Sequence, residues 1–202
     1  MKAKAERKFL PNSFFKENPL KEISAATIGY YTIVAKADGK LDQMISDVAV
    51  QGIKDSRKEE IRQERQRIEQ TDDPAELVEM MRKGHDILNQ RLLCDKVIAL
   101  HEQTMPLVLK RYRTCALDQF VDAAATTVAL GEKKYAQMLR EMYRDIRYPY
   151  ACACACLVFG MQGMEEEIPF LLNEYRHFQQ AYPNESFDQH PLLALYLLHE
   201  KY

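Results

Sequence analysis

Apolar side chains recur three and four residues apart along most of this chain, which is the spacing that places them on one side of an α-helix. The first such stripe follows Asn18 and Pro19, a pair typical of a helix start, and runs to Gly39. A second helix is expected from Asp42 to about Val50. No stretch alternates large apolar and polar residues for long enough to predict a strand. The pattern therefore predicts an all-α protein.

A highly charged segment follows at residues 54–69, with six basic and five acidic side chains. Its only apolar residues, Ile61 and Ile68, are seven apart, so we expect a helix with a thin apolar seam and a broad solvated face. The interleaved signs favour a solvated helix over a nucleic-acid-binding arm. The pattern is compatible both with docking of residues 41–70 on the rest of the chain and with a projecting arm. The sequence Thr71 to Pro74 then predicts a new helix start.

Three segments of the second half align without gaps: PLVLKRYR (106–113), QMLREMYR (137–144) and PFLLNEYR (169–176). We expect each to begin a helix, with Pro106 and Pro169 in the first turn, and to bury apolar side chains at its second and third positions. Further helices are predicted around 92–100, 123–130 and 151–159. The shared anchors are Tyr-Arg pairs at intervals of 31 and 32 residues: Tyr112-Arg113, Tyr143-Arg144 and Tyr175-Arg176.

The repeating unit is therefore helix, short turn, helix. Antiparallel helix pairs of this length cannot bury their apolar faces alone, so a stack of pairs in a row is predicted. We divide the chain into an N-terminal helical segment, 1–70, which caps the stack or forms an arm, and helical repeats over 71–202. Within the repeats, 188–202 is expected to be a terminal capping helix.

The third unit, residues 147–175, resembles a HEAT-like repeat of the phycobilisome-lyase type. The resemblance is weaker over 86–146 and absent over 1–70. It implies a right-handed α-α superhelix of the HEAT-like or armadillo type, with a surface that binds another protein, although members with enzymatic roles exist. The matching features are Ala151, Ala155, Leu157, the Gly160–Gly163 turn, Glu165 to Glu167, Pro169 and Leu171-Leu172.

Cysteine usage indicates packing and a reducing compartment. The five cysteines are odd in number, and Cys152, Cys154 and Cys156 lie within five residues, unlike a disulfide framework. No CxxC pair occurs, so we interpret the cluster as small core residues and not as a metal or redox site. The first residues lack a secretory apolar region, and no apolar run could span a bilayer. A cytoplasmic protein is expected.

Motifs for catalysis are lacking, and we predict no catalytic residue, metal or cofactor. His85-Asp86 matches the dipeptide of metal-dependent phosphohydrolases, but no histidine precedes it to complete a metal cage. The other histidines, for which we expect surface or cap roles, have no metal-ligand spacing, and the glycine-rich phosphate-binding and nucleophile motifs do not occur. A non-enzyme is favoured, and an enzyme stays open as an alternative.

The net charge of the chain and the repeated arginines indicate the class of partner to expect. The chain has 28 basic and 30 acidic residues, a net charge of −2 and no Trp, which disfavours nucleic acid. If Arg113, Arg144 and Arg176 occupy equivalent places on successive second helices, they form a row suited to an acidic peptide or another protein. The alternative is that each lies at a helix C-terminus and pairs with a neighbouring carboxylate.

The expected function is thus a non-catalytic protein-binding or scaffold protein that uses the second-helix face of a helical solenoid. Two alternatives remain: a HEAT-like nucleic-acid-binding or lesion-processing enzyme, and a self-associating element that forms a homodimer. No membrane association is expected.

Overall fold

The computed structural model of the protein describes residues 10–21 and 55–201, and all regular structure in these ranges is helical. The all-α prediction is confirmed there. The predicted helices over 20–39 and 42–50 lie outside the described residues except at 20 and 21. The helices are α1 (Asn12–Glu17), α2 (Asp55–Gln70), α3 (Pro74–Met80), α4 (Ile87–Ala99), α5 (His101–Tyr112), α6 (Asp118–Leu130), α7 (Lys133–Glu141), α8 (Pro149–Met161), α9 (Ile168–Ala181) and α10 (Gln189–Lys201), with 3-10 turns at Tyr143–Asp145 and Glu165–Glu167.

From α2 onward, the helices contact one another in an alternating order. The even-numbered helices pack side by side, α2 on α4, α4 on α6, α6 on α8 and α8 on α10. The odd-numbered helices lie against them: α5 contacts α4 and α6, α7 contacts α6 and α8, and α9 contacts α10. Each odd-numbered helix therefore covers part of the even-numbered set, and the core lies between the two sets. No helix of the described part is long and apolar enough to cross a membrane.

Small residues let the even-numbered helices approach closely. Ala124 of α6 and Ala153 and Ala155 of α8 are fully buried. At Gly160 of α8 the approach is so close that a Cβ atom added there would lie 2.4 Å from the Cα atom of Ala194 in α10. The α8–α10 contact thus depends on a residue without a side chain.

The charged helix α2 docks on α4, at least over the described residues 55–70. Ile61 and Ile68, the predicted seam, are both buried. The buried side-chain amide of Asn89 in α4 donates hydrogen bonds to the Ile61 carbonyl (3.0 Å) and to the Glu64 carboxylate (2.9 Å). The predicted start of α3 is also confirmed, because Asp73 accepts a hydrogen bond from the Ala75 amide and Pro74 is the first helical residue.

Three predicted helix starts are wrong. Gln137 is the fifth residue of α7, which begins at Lys133. Pro106 is the sixth residue of α5, which begins at His101. The corner between α4 and α5 is fixed instead by Thr104, whose hydroxyl donates to the carbonyls of Val97 (2.6 Å) and Leu100 (3.0 Å). Likewise Asn18 ends helix α1, donating to the carbonyl of Phe14, and does not begin a helix. Pro169, by contrast, lies in the first turn of α9, as predicted.

The aligned segments bury only one of the two positions that we expected to be buried. The third-position residues, Val108, Leu139 and Leu171, are fully buried. At the second position, however, Leu107 is 37% exposed and Met138 is 43% exposed. The prediction for this position is therefore wrong at Leu107 and Met138. Phe170, the second-position residue of the third segment, is half-buried, with its ring centroid 6.1 Å from that of Phe159 in α8.

The residues around α1 pack against the C-terminal end of the chain, and we call residues 12–21 the N-terminal strap. The Tyr196 hydroxyl donates to the carbonyls of Phe15 (2.9 Å) and Asn18 (3.1 Å). The Phe15 ring stacks on His199 at a centroid distance of 4.5 Å. The backbone amide of Lys21 donates to the Gln189 side chain at 2.9 Å. The strap therefore covers part of α10.

Candidate functional site

The three repeated tyrosines are buried and hydrogen-bonded, each to a different element. The Tyr112 hydroxyl donates to the Ala151 carbonyl of α8 at 2.8 Å, and the Tyr143 hydroxyl donates to Glu174 of α9 at 2.7 Å. The Tyr175 hydroxyl donates to Asn18 of the N-terminal strap at 2.9 Å. Burial raises the pKa of all three phenols, so they stay neutral. These contacts fit structural anchors.

The three repeated arginines are exposed but stand at different points of their units. Arg113 directly follows α5, Arg144 lies in the 3-10 turn after α7, and Arg176 lies inside α9. Arg113 and Arg144 line one groove, which Arg176 does not line. The structure thus brings two of the three predicted binding residues together.

This first groove, which we call the outer groove, has a volume of about 810 Å³ and lies between the end of α5 and the start of α8. Arg113, Arg144 and Arg147 contribute cations, and Asp145 contributes a carboxylate. The Arg113 guanidinium lies 4.0 Å from that carboxylate. The lining therefore carries an excess of positive charge.

A second groove of about 490 Å³ adjoins the first, and we call it the aromatic groove. Arg144 and Arg147 line this groove as well, so their side chains form the wall that the two grooves share. Its other side is formed by aromatic residues of α9 and the turn after it, Phe170, Phe178 and Tyr182. Neither Arg147 nor these three aromatic residues, which we call the aromatic wall, were predicted from the sequence, although the spacing of Arg144 and Arg147 just before a helix start is a usable signal.

The aromatic groove contains two further charged residues that are already engaged. The Arg140 guanidinium stacks over the Phe170 ring at 3.8 Å, and its Nε donates to Glu167 at 2.6 Å. The Glu174 carboxylate accepts the hydrogen bond of Tyr143. Their charges are thus partly compensated within the protein.

Arg144 and Arg147 differ from most arginines of the described part in having no carboxylate partner there. Arg176 is the third such residue. The other arginines of residues 55–201 lie within 4.0 Å of a carboxylate: Arg57, Arg62, Arg65, Arg67, Arg82, Arg91, Arg111, Arg113 and Arg140. Two guanidinium groups without a carboxylate partner in the described part therefore line both grooves.

The clustered cysteines lie on α8. Cys154 and Cys156 are fully buried, in line with a packing role, and all five cysteines are free thiols. Cys152 is half-buried and lines the aromatic groove, but burial raises the pKa of its thiol to about 11. The thiol is neutral at pH 7 and is a poor nucleophile. Within residues 10–21 and 55–201, no group of three or more His, Cys, Asp or Glu residues is placed to hold a metal ion.

The His85-Asp86 dipeptide has a structural role in the described part. Asp86 is the N-cap of α4, where its carboxylate accepts a hydrogen bond from the Leu88 amide at 3.0 Å. The His85 ring is buried, with Nε2 2.7 Å from the Met80 carbonyl and Nδ1 2.9 Å from Glu64. Both residues tie the start of α4 to its neighbours.

Comparison of the chain with family models, with curated proteins and with solved structures found no match. The resemblance of residues 147–175 to HEAT-like repeats therefore stays a prediction, and function has to be inferred from the surfaces of the molecule itself.

Proposed function

We propose that this chain is a non-catalytic, HEAT-like α-solenoid that binds an acidic segment of another protein. The solenoid part of the proposal is supported by the alternating contacts, in which each even-numbered helix packs on the next and the odd-numbered helices pack against them. Stacked helix pairs of this kind offer an extended surface along the second helices, which is where such proteins bind partners.

The observation that carries the binding proposal is the shared wall of Arg144 and Arg147. Two exposed arginines without a carboxylate partner in the described part, three residues apart in sequence, both line the two grooves. Unpaired like charges repel each other, so their placement together favours a ligand that supplies negative charge. Guanidinium groups bind carboxylates through two parallel hydrogen bonds.

The shape of the site suits an extended ligand. The outer groove continues from Arg144 and Arg147 to Arg113, so a peptide lying along it meets three cations in succession. The aromatic groove on the other side of the wall offers ring surfaces to an apolar side chain. Because the cations are exposed, we expect the affinity to fall as salt is added.

Fluorescence anisotropy with two labelled ten-residue peptides, one glutamate-rich and one lysine-rich, tests this proposal. The wild-type protein is expected to bind the acidic peptide and not the basic one. An Arg144→Glu/Arg147→Glu variant is expected to lose this binding at least tenfold. Arg176→Glu is the matched control, because Arg176 is also exposed and unpaired in the described part but lies outside both grooves, and it is expected to bind like the wild type.

Two results contradict the proposal. One is equal binding of the acidic and basic peptides by the wild type, and the other is an equal loss in the control and the double variant. A random-sequence DNA duplex in the same assay addresses the nucleic-acid alternative. Tight DNA binding that weakens steeply with salt would favour that alternative over a protein ligand.

A further inference from the structure

We infer that Arg144 and Arg147 together bind a phosphate group on a side chain of the acidic segment, and that the ligand's next apolar side chain packs on the aromatic wall. This inference rests on the proposed function and adds the chemical class of the ligand. Phosphorylation of the partner would then control binding.

The two guanidinium groups project from a backbone that is held in place. The amides of Asp145 and Ile146 donate to the carbonyls of Met142 (2.9 Å) and Tyr143 (3.1 Å), which closes the 3-10 turn. The side chains of Tyr143 and Ile146 are buried on the inner side of this turn. Pro149 then begins α8. Since the turn is fixed before any ligand arrives, little conformational entropy of the backbone is lost on binding.

The charge of the ligand and its number of acceptor oxygens favour a phosphate over a single carboxylate. The pair carries two positive charges that no carboxylate of the described part compensates. A phosphorylated side chain carries a charge of about −1.5 to −2 and three acceptor oxygens, whereas a carboxylate carries one charge and two oxygens. A phosphate can therefore accept two hydrogen bonds from each guanidinium group and balance most of their charge, whereas the two oxygens of a carboxylate are shared between the groups and balance one charge.

The neighbouring acidic groups set the limits of the site. Asp145 lies in the same turn but near Arg113, at 4.0 Å, on the side of the outer groove. Glu174 lies in the aromatic groove and accepts the Tyr143 hydrogen bond. Because both carboxylates lie to the sides, the region of most positive potential is expected at the wall between them.

The aromatic wall is the reason to expect that an apolar side chain of the ligand packs next to the phosphate site. Phe170 and Tyr182 are half-buried, and Phe178 beneath them is buried. Phe178 and Tyr182 lie with ring centroids 6.1 Å apart. An apolar side chain next to the phosphorylated residue would cover ring surface that the core leaves open, which adds affinity in proportion to the apolar area removed from water.

The test uses four labelled peptides with the same flanking glutamates. Their two central residues are a variable residue X followed by Leu or Gly. X-Leu is made with phosphoserine, serine or glutamate at X, and X-Gly is made with phosphoserine only. For the wild-type protein we expect the phosphoserine-Leu peptide to bind about tenfold more tightly than the serine and glutamate peptides. Replacing Leu by Gly is expected to weaken it about fivefold.

Arg144→Lys/Arg147→Lys is the decisive variant, since it keeps both charges but loses the planar fork. It is expected to bind the glutamate peptide like the wild type and to lose most of the preference for phosphoserine. Arg176→Lys is the matched control and keeps the preference. Circular dichroism of both variants confirms that they are folded.

The outcomes separate this inference from the proposed function. Equal affinity for the phosphoserine and glutamate peptides, with loss of both in the Arg144→Glu/Arg147→Glu variant, overturns the phosphate site and leaves acidic-peptide binding intact. Binding of none of the four peptides overturns both. Competition by inorganic phosphate that is equally strong in the wild type and the lysine variant also counts against the paired site.

Discussion

The close approach of α8 and α10 gives a quantitative prediction for Gly160→Ala. The added Cβ atom would lie 2.4 Å from the Cα atom and 2.6 Å from the Cβ atom of Ala194, whereas ordinary contact begins at 3.4 Å. The two helices must therefore separate by about 1 Å at this point. No flexible side chain can move aside, because the nearest atoms of α10 belong to its backbone and to a Cβ atom.

The cost follows from the separation. Each pair of contacting atoms gains about 0.1–0.2 kcal/mol of dispersion attraction, and a gap of this size removes a quarter to a half of that gain. Over some tens of atom pairs the loss is about 1–2 kcal/mol. Overpacking strain adds about 1–3 kcal/mol. The higher helix propensity of alanine offsets about 1 kcal/mol. The net loss in the free energy of unfolding is expected to be about 1–4 kcal/mol, with about 2–3 kcal/mol at the centre of that range.

Thermal unfolding followed by circular dichroism at 222 nm measures this loss. For a chain of this length, the melting temperature is expected to fall by about 4–12 °C. Gly84→Ala is the matched control, because the nearest atom to its added Cβ is a Gln119 side-chain carbon at 3.9 Å. The control is expected to melt within about 2 °C of the wild type. If the two variants melt at the same temperature, the reasoning about the helix contact is wrong.

Three further predictions concern buried polar groups. Burial lowers the pKa of His190 to about 4 from an ordinary 6.5, so this residue alone costs the folded state up to about 3 kcal/mol as pH falls from 6.5 to 4. In urea titrations His190→Gln should therefore become more stable relative to the wild type by up to that amount over this fall in pH. Burial raises the pKa of Asp122 to about 6 from 3.8, so ionisation of this one carboxyl group destabilises the folded state as pH rises from 3.8 through 6. The free energy of unfolding of Asp122→Asn should therefore rise relative to that of the wild type by up to about 3 kcal/mol over this pH range. A difference between the two proteins that does not change with pH would contradict the raised pKa of Asp122. Tyr143→Phe removes the 2.7 Å hydrogen bond to Glu174 and should cost about 1–2 kcal/mol in urea unfolding, with Tyr148→Phe, at a more exposed phenol, costing less.

The elements that local patterns determine were predictable from the sequence. The start of α3 needs only the Asp73 side chain and the fixed φ angle of Pro74. The buried seam of α2 needs only the spacing of Ile61 and Ile68. Pro106 could not be placed in the same way, because the corner before α5 depends on hydrogen bonds that Thr104 makes with the preceding helix.

Distant contacts also explain the errors at other polar residues. Asn18 has the residue type of a helix N-cap, but its side chain accepts a hydrogen bond from Tyr175, which is 157 residues away in sequence. His190 was expected at the surface or in a cap, yet it is buried against the edge of the Tyr150 ring. Neither environment has a local signature in the chain.

The candidate site was predictable only in part. Alignment of the repeats identified Arg113 and Arg144, which share the outer groove. The alignment did not reveal that Arg176 lies outside the grooves, because aligned residues fall at different points of their helices. The helix α9 continues past Arg176 to Ala181, whereas α5 ends just before Arg113. The aromatic wall was missed because its rings come from α9 and from the turn after it.

The N-terminal strap links the order of synthesis to the completion of the fold. The hydroxyl of Tyr196 bonds to the carbonyl of Phe15, and 181 positions separate the two residues. On the ribosome, the strap is made well before its binding surface on α10, so these bonds form only after α10 has left the exit tunnel. A prematurely terminated chain that lacks α10 would leave the strap without that partner and would expose the side of α8 that α10 covers, which marks it as an incomplete product for proteases and chaperones.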